Sequence, residues 1–356
     1  MYKKVTARSV RPVRAGGIAL AALVLLGASE VLAQTQPPSE PPAHWGATSI
    51  DHLNVPYPYP VEYLDVEVYG TDLRLAYMDA APVGPANGQT VVFFHGFNFA
   101  GYAFGHTMEI LRNAGFRTIA IDRLGFGRSS KPEIHYNFHI PARNTKRLLD
   151  ALGIEQAAIV GHSMGGIVAS RFAMTYPETT SHVAFVNQIG LSDQRPGREW
   201  NEPSAGGGRP TSQQYYQQVV RSHERYYVQG WKPEYLEWAK ATYGLIFSGE
   251  FDRWQRVRSL LGQSMFEDPV VYDWQHISSK ALVIGGAEDP LSQDFAADAR
   301  NVAEQLQNAE LRLYANVGHN PQFEHSDEFH ADLIRFLESD PDQAADQSWR
   351  DSDWGR

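Results

Sequence analysis

Ala157-Ala158-Ile159-Val160-Gly161-His162-Ser163-Met164-Gly165-Gly166 is the stretch on which the fold turns. Its four leading apolar residues show no alternation, the mark of a strand buried on both faces. From Met164 to Tyr176 the apolar positions recur at helical spacing and stop before Pro177. Between the two, Gly161-His162-Ser163-Met164-Gly165 fits G-x-S-x-G. Chance alone supplies roughly 0.2 such pentapeptides in a chain of this size, so the motif is modest evidence until its context is added. That context is a tight strand-to-helix turn, a nucleophile elbow, which would present the Ser163 hydroxyl at the top of a sheet. A helix N-terminus beneath it favours developing negative charge. The flanking glycines suit a strained turn that neighbouring backbone approaches closely. The plainer alternative is an ordinary strand-to-helix turn.

Outward from this turn the same alternation repeats. Val61 to Tyr69 and Asp72 to Met78 alternate in polarity about Gly70-Thr71 and predict a hairpin. Strands are expected at Thr90–Phe94, Arg117–Ile121, His182–Val186, Ala281–Ile284 and Glu310–Tyr314. Helices are expected at Phe104–Ala114, Pro141–Leu152, Asp294–Leu306 and Asp327–Leu337. Apolar strands alternating with amphipathic helices predict an α/β protein with a mostly parallel central sheet covered on both faces. The alternation breaks over 190–275, where helix-like pieces such as Ser212–Val228 and Glu234–Tyr243 surround a loop at Gly206-Gly207-Gly208. Fifteen of those 86 residues are Phe, Trp or Tyr, about 17% against 12% overall. The enrichment predicts an inserted helical cap over an apolar site, most of its aromatics forming the cap's own core. The core is thus assigned to 61–189 and 276–339 and the cap to 190–275.

A serine hydroxyl needs a base to take its proton. Val317-Gly318-His319-Asn320-Pro321 follows the last expected strand, so His319 is the candidate. His325 and His330 fall at or in the last helix, where a surface position is expected, and His95 and His162 are assigned to shaping the loops. An acid must fix the imidazole's tautomer. Asp289, in Gly285-Gly286-Ala287-Glu288-Asp289-Pro290, follows another strand, and ligands of open α/β sheets bind at that edge. Glu288 and, more distantly, Asp193 are its rivals. The oxyanion of acyl transfer requires two donors, assigned to the backbone N–H groups of Met164 and Phe97, with the Asn98 side chain as a weaker helper. Asp122 is expected to pack in a turn beside the site. No H-E-x-x-H, phosphate-binding loop or dinucleotide motif occurs, so neither metal nor cofactor is expected.

The N-terminus has the three-part plan of a secretory signal. Lys3, Lys4, Arg8, Arg11 and Arg14 precede an uncharged run from Ala15 to Ala28, and cleavage is expected after Ala33. The apolar run is about 14 residues, short of the roughly 20 a spanning helix needs. The protein is therefore expected to be exported, periplasmic or secreted, without stable membrane insertion. The Pro-rich segment 34–60 predicts an extended surface linker, and the polar, acidic 340–356 a flexible tail. The absence of cysteine excludes disulfides, thiolate nucleophiles and a lipidated cysteine. The formal charge is −10, and loss of a leader carrying +4 leaves −14, which argues against nucleic acid and anionic membranes as partners. A small-molecule substrate is the expected partner.

Taken together, "HGFNFAGYAF" (95–104), "DRLGFGRSSKP" (122–132), "GHSMGG" (161–166), "GGAEDP" (285–290) and "VGHNPQFEH" (317–325) resemble the α/β-hydrolase superfamily over about residues 60–338. His95 to Leu191 resembles the branch holding meta-cleavage C–C hydrolases, enol-lactonases and small esterases. The resemblance implies the α/β-hydrolase fold and a Ser163–His319–Asp289 triad. Haloalkane dehalogenases and epoxide hydrolases of that branch use an aspartate nucleophile where this chain has Ser163. The H-G-G-G loop of lipases and the H-G-G-P-G loop of proline iminopeptidases are absent. His95-Gly96-Phe97-Asn98-Phe99 also departs from the H-G-S/T-G-P-G of C–C hydrolases. Hydrolysis of an ester-like bond in a partly apolar substrate through an acyl-enzyme is expected. C–C cleavage by the same triad and a non-catalytic binding protein on the same fold are the alternatives.

Overall fold

The computed structural model describes residues 36–198 and 208–354. The leader, its cleavage point after Ala33, and Gly206 and Gly207 lie outside the described residues.

Eight strands form one sheet: Val61–Val68 (β1), Thr71–Ala80 (β2), Thr90–Phe94 (β3), Arg117–Asp122 (β4), Ala157–His162 (β5), Thr180–Val186 (β6), Lys280–Gly286 (β7) and Ala309–Tyr314 (β8). Their order is β1-β2-β4-β3-β5-β6-β7-β8. β1 and β2 pair antiparallel about Tyr69 and Gly70, both at positive φ, as a two-residue hairpin turn requires. β2 also meets β4 antiparallel, and all later pairs are parallel. The strand order reverses around β3, so the loops leaving β3 and β5 diverge and open a crevice at the sheet's carboxyl edge.

The helices are Gly105–Asn113 (α1), His139–Ala151 (α2), Met164–Thr175 (α3), Ser212–Glu224 (α4), Leu236–Gly244 (α5), Phe251–Glu267 (α6), Phe295–Gln305 (α7), Pro321–Glu324 (α8) and Ser326–Leu337 (α9). One face of the sheet packs Val92, Phe94, Ile159 and Phe185 against Leu148 of α2, Phe172 of α3 and Val302 of α7. The other packs Phe93, Val160 and Ile284 against Met108 of α1 and Phe329 and Phe336 of α9. The strands read as continuous apolar runs because both faces are covered. Burying each such aromatic contributes about 2–3 kcal/mol.

The insertion between Val186 and Lys280 carries α4, α5 and α6. α4 opens with a capping box, Thr211 and Gln214 satisfying each other's backbone N–H groups. Tyr215, Tyr216, Tyr243, Phe251 and Trp254 form a separate cap core. Arg171 of α3 pairs with Asp268 at 2.9 Å and Asp273 at 2.7 Å, fastening the end of the insertion to the sheet layer.

Two terminal segments differ from expectation. The segment expected to be an extended linker is a packed strap from residue 36 onward, because Trp45 and Tyr57 give it anchors. Trp45 sits in the cap core against Tyr216 and Tyr243. Thr48 N–H donates to the Gly244 carbonyl at 2.9 Å, and Tyr57 Oη donates to Asp122 at 2.6 Å. The expected flexible tail is likewise folded as far as Trp354. Trp349 is buried against β8, its Nε1 donating to the Ala309 carbonyl at 3.0 Å, and Arg300 donates to the carbonyls of Trp349 and Ser352. Among the described residues no helix is long and apolar enough to cross a membrane, and no group of three or more His, Asp or Glu could hold a metal ion.

Candidate active site

Ser163 stands between β5 and α3 with φ 57° and ψ −123°, a left-handed conformation that a non-glycine residue adopts only under constraint. The constraint comes from close backbone. A Cβ on Gly165 would lie 2.0 Å from the Phe94 carbonyl oxygen, and one on Gly161 would lie 2.3 Å from the Gly165 carbonyl oxygen. Both glycines of the pentapeptide are therefore required by space. Ser163 N–H donates to Val186 O at 3.0 Å, and its carbonyl accepts from Gly166 N–H at 2.9 Å, which fixes the turn from both sides.

The loop after β3 lies across this turn. A Cβ on Gly96 would sit 3.0 Å from the Ser163 Cβ. Among the described residues neither Phe97 N–H nor Met164 N–H enters a turn, loop or cap hydrogen bond, so both remain available to a developing oxyanion. Asn98 does not face the site as a simple helper: its amide bonds Tyr226 and Arg258.

His319, which follows β8, presents Nδ1 to Asp289 Oδ2 at 2.7 Å, and both side chains are about 1% exposed. With Nδ1–H donated to the carboxylate, Nε2 is left as the basic nitrogen. Burial alone would raise the Asp289 pKa. The His319 charge and hydrogen bond, Leu291 N–H and Asn187 outweigh it and hold the carboxyl below the usual range. No hydrogen bond joins Ser163 to His319 among the described residues, and such contacts often tighten only with substrate bound.

The rival side chains are elsewhere. Glu288 accepts from Val317 N–H at 3.3 Å, and Asp193 is tied to Arg195 and Tyr272 near the surface. His325 pairs with Glu328. His330, expected at the surface, is buried and bonds Thr107 at 2.9 Å. His95 and His162 do shape loops. His162 Nε2 lies 3.0 Å from the His319 carbonyl oxygen, and burial lowers its pKa to about 3, so it is a neutral donor there. His95 sits between Gly96 O and Arg123 N–H. Asp122 is the closing pin of its turn, accepting from Tyr57 Oη, Gly101 N–H and Arg128 N–H.

Sequence reasoning passed over Asn187 and Tyr226. Asn187, at φ 38° after β6, donates to Asp289 Oδ2 at 2.9 Å. Tyr226, just past α4, packs its ring 4.8 Å from the His319 imidazole. The only signal for Asn187 was its place after a strand. Tyr226 was hidden among the cap aromatics.

Comparison with known proteins bears on the fold. A family model described as alpha/beta hydrolase fold matches residues 89–326. A 2-hydroxy-6-oxononadienedioate/2-hydroxy-6-oxononatrienedioate hydrolase of Paraburkholderia phymatum is 27% identical over 294 residues, 78% of this chain and 95% of that protein. Epoxide hydrolase B of Mycobacterium tuberculosis is 34% identical over 143 residues, 36% of this chain and 40% of its own. Among solved structures, a probable hydrolytic enzyme from Pseudomonas aeruginosa PAO1 superposes with a TM-score of 0.76 at 30% identity, over 83% of this chain and 99% of that one.

Proposed function

Because the chain belongs to the alpha/beta hydrolase fold family, we propose that it is a serine hydrolase cleaving an ester-like bond of a small or medium, partly apolar substrate through an acyl-enzyme. The observation that carries this reading is the buried 2.7 Å His319–Asp289 hydrogen bond beside a strained Ser163 at the crevice edge. Ser163 Oγ attacks the carbonyl carbon as His319 Nε2 takes its proton. Phe97 and Met164 N–H groups hold the oxyanion, and Asp289 steadies the imidazolium. The tetrahedral intermediate collapses, the C–O bond to the leaving alcohol breaks, and the imidazolium returns the proton to that oxygen. Water, deprotonated by the same nitrogen, then hydrolyses the acyl-enzyme and regenerates Ser163.

A fluorophosphonate probe is expected to label the wild-type protein at Ser163. Ser163→Ala is expected to lose both labelling and turnover of short p-nitrophenyl esters, by at least about 10³-fold. Full turnover by Ser163→Ala refutes the mechanism. A second reading, C–C bond hydrolysis by the same triad, draws on the resemblance to meta-cleavage hydrolases and on the similarity to the Paraburkholderia dienedioate hydrolase. Comparing kcat/KM for a ring-fission dienoate with that for simple esters separates the two.

A further inference from the structure

The cap touches the proposed machinery at two points, and one tyrosine joins them. Arg258 of α6 donates to the Phe97 carbonyl at 3.3 Å and to Asn98 Oδ1, and its guanidinium lies 4.1 Å from the centre of the Phe97 ring. No carboxylate pairs with it among the described residues. A guanidinium only donates, so the Asn98 amide must turn its oxygen toward Arg258 and its nitrogen the other way. That nitrogen donates to Tyr226 Oη at 2.5 Å.

Tyr226 then reaches the base. Its carbonyl accepts the His319 N–H at 2.8 Å, and its ring packs on the imidazole. Space at this joint is tight: a Cβ on Gly318 would lie 2.3 Å from the Tyr226 carbonyl oxygen. The neighbouring cap backbone is fastened to the same loop. Gln229 N–H and Gly318 N–H donate to the two oxygens of one carboxylate, Glu324, at 3.1 and 2.7 Å, and Gln229 Nε2 donates to the Asn316 carbonyl at 2.9 Å.

We propose that Tyr226 and Arg258 are positioning residues. Through the chain Arg258–Asn98–Tyr226–His319 the cap fixes the Phe97 oxyanion loop and the base histidine relative to one another. This rests on the serine-hydrolase reading. The cap is then part of the alignment of the site as well as its cover, and a shift of α6 reaches both the oxyanion donor and the base.

The test uses the full chain with Tyr226→Phe, Tyr226→Leu, Arg258→Met and Arg258→Lys, each checked for a cooperative melt and an unchanged near-ultraviolet spectrum. One readout separates fluorophosphonate labelling into its maximal rate and its half-saturating concentration. The other is the downfield proton resonance of the His319–Asp289 hydrogen bond, which requires no turnover. Tyr226→Leu removes the ring and the hydroxyl, and the maximal labelling rate is expected to fall ~100-fold with half-saturation nearly constant. Tyr226→Phe keeps the ring and removes the hydroxyl that meets Asn98 and Arg225, so a ~10-fold fall is expected, with the His319 resonance retained. Arg258→Met is expected to match Tyr226→Phe. Arg258→Lys, which keeps a donor without the planar fork, should recover part of the loss. The His319 proton is expected to broaden by faster exchange in Tyr226→Leu. The proposal is overturned if folded Tyr226→Leu labels within about twofold of wild type with an unchanged resonance, or if only half-saturation moves, the signature of a substrate wall. A wild-type protein that does not label but shows the resonance, lost in Tyr226→Leu, overturns the serine-hydrolase reading and leaves the positioning link standing.

Discussion

Asn187 shows how much of this site depends on one uncharged side chain. Its Nδ2 donates to Asp289 Oδ2 at 2.9 Å and to Gly286 O at 3.2 Å, while its Oδ1 accepts Gly286 N–H at 2.9 Å. Asp289 Oδ1 is taken by Leu291 N–H at 2.9 Å. The carboxylate is thus held from both sides and cannot rotate away from His319. Asn187→Ala removes one restraint, and a ~10-fold loss of kcat/KM on p-nitrophenyl acetate is expected. Asn187→Asp is nearly isosteric but sets a second carboxylate within hydrogen-bonding distance of Asp289. Two carboxylates that close repel each other, which raises the pKa of one, and any proton they share competes with His319 for Asp289. A ~100-fold loss is expected. Equal losses in the two variants would show that the hydrogen bond matters and the charge does not. The residue types of the proposed triad drew attention in the sequence because each follows an apolar strand with glycine nearby. Asn187 follows a strand too, yet an asparagine in a loop has many structural uses, and only the placement of Asp289 selects this one.

At the scale of elements, the strands and helices of the core were legible to within about two residues, since burial on both faces of a parallel sheet leaves unbroken apolar runs. β3 falls at the expected Thr90–Phe94. The long helix α6 was not singled out, because its apolar positions are interleaved with Arg253, Arg256 and Arg258. The two ends were misread for one reason: polar and proline-rich composition hides single aromatic anchors. In the tail, Trp349 covers the open edge of the sheet at β8, and the Arg300 guanidinium lies 5.5 Å from its ring. Edge strands left bare invite pairing with other chains. Trp349→Ala is expected to lower stability by about 3 kcal/mol, read as a lower urea midpoint, and to increase aggregation on heating. Ser352→Ala, beside it, keeps the ring in place and should shift the midpoint by less than half as much. A Trp349→Ala midpoint equal to wild type would mean that the tail rests on the sheet without holding it.

For the molecule as a whole, the alternation of apolar strands with amphipathic helices announced the α/β class, but the strand order that opens the crevice at β3 became legible only once the pairings were known. The same burial that makes the core also stores a proton balance. His52, His162 and His223 have pKa values lowered to about 3 and His330 to about 4, burial being the largest cause in each case. In the unfolded chain they titrate near 6.5. Between those values the unfolded chain binds more protons, so stability rises with pH and is lost as pH falls, by up to about 1.4 kcal/mol per histidine per pH unit. Asp122, Asp273 and Glu324 oppose this. Burial raises their pKa values, so they stay protonated in the fold at pH values where the unfolded chain has released the proton. Their term lies above the ordinary carboxylate range and offsets part of the loss. The histidines outnumber them, so a net loss of a few kcal/mol is expected from about pH 6.5 to 4.5. Urea midpoints at pH 7, 5.5 and 4.5 measure it. His223→Leu isolates one contributor: its Nδ1 is buried without a partner, so leucine removes a titrating group and breaks no hydrogen bond at that atom. The variant's pH slope should be shallower by about 1 kcal/mol per unit in that window. A slope identical to wild type would mean that His223 takes up its proton inside the fold, and its burial would then not oppose charge.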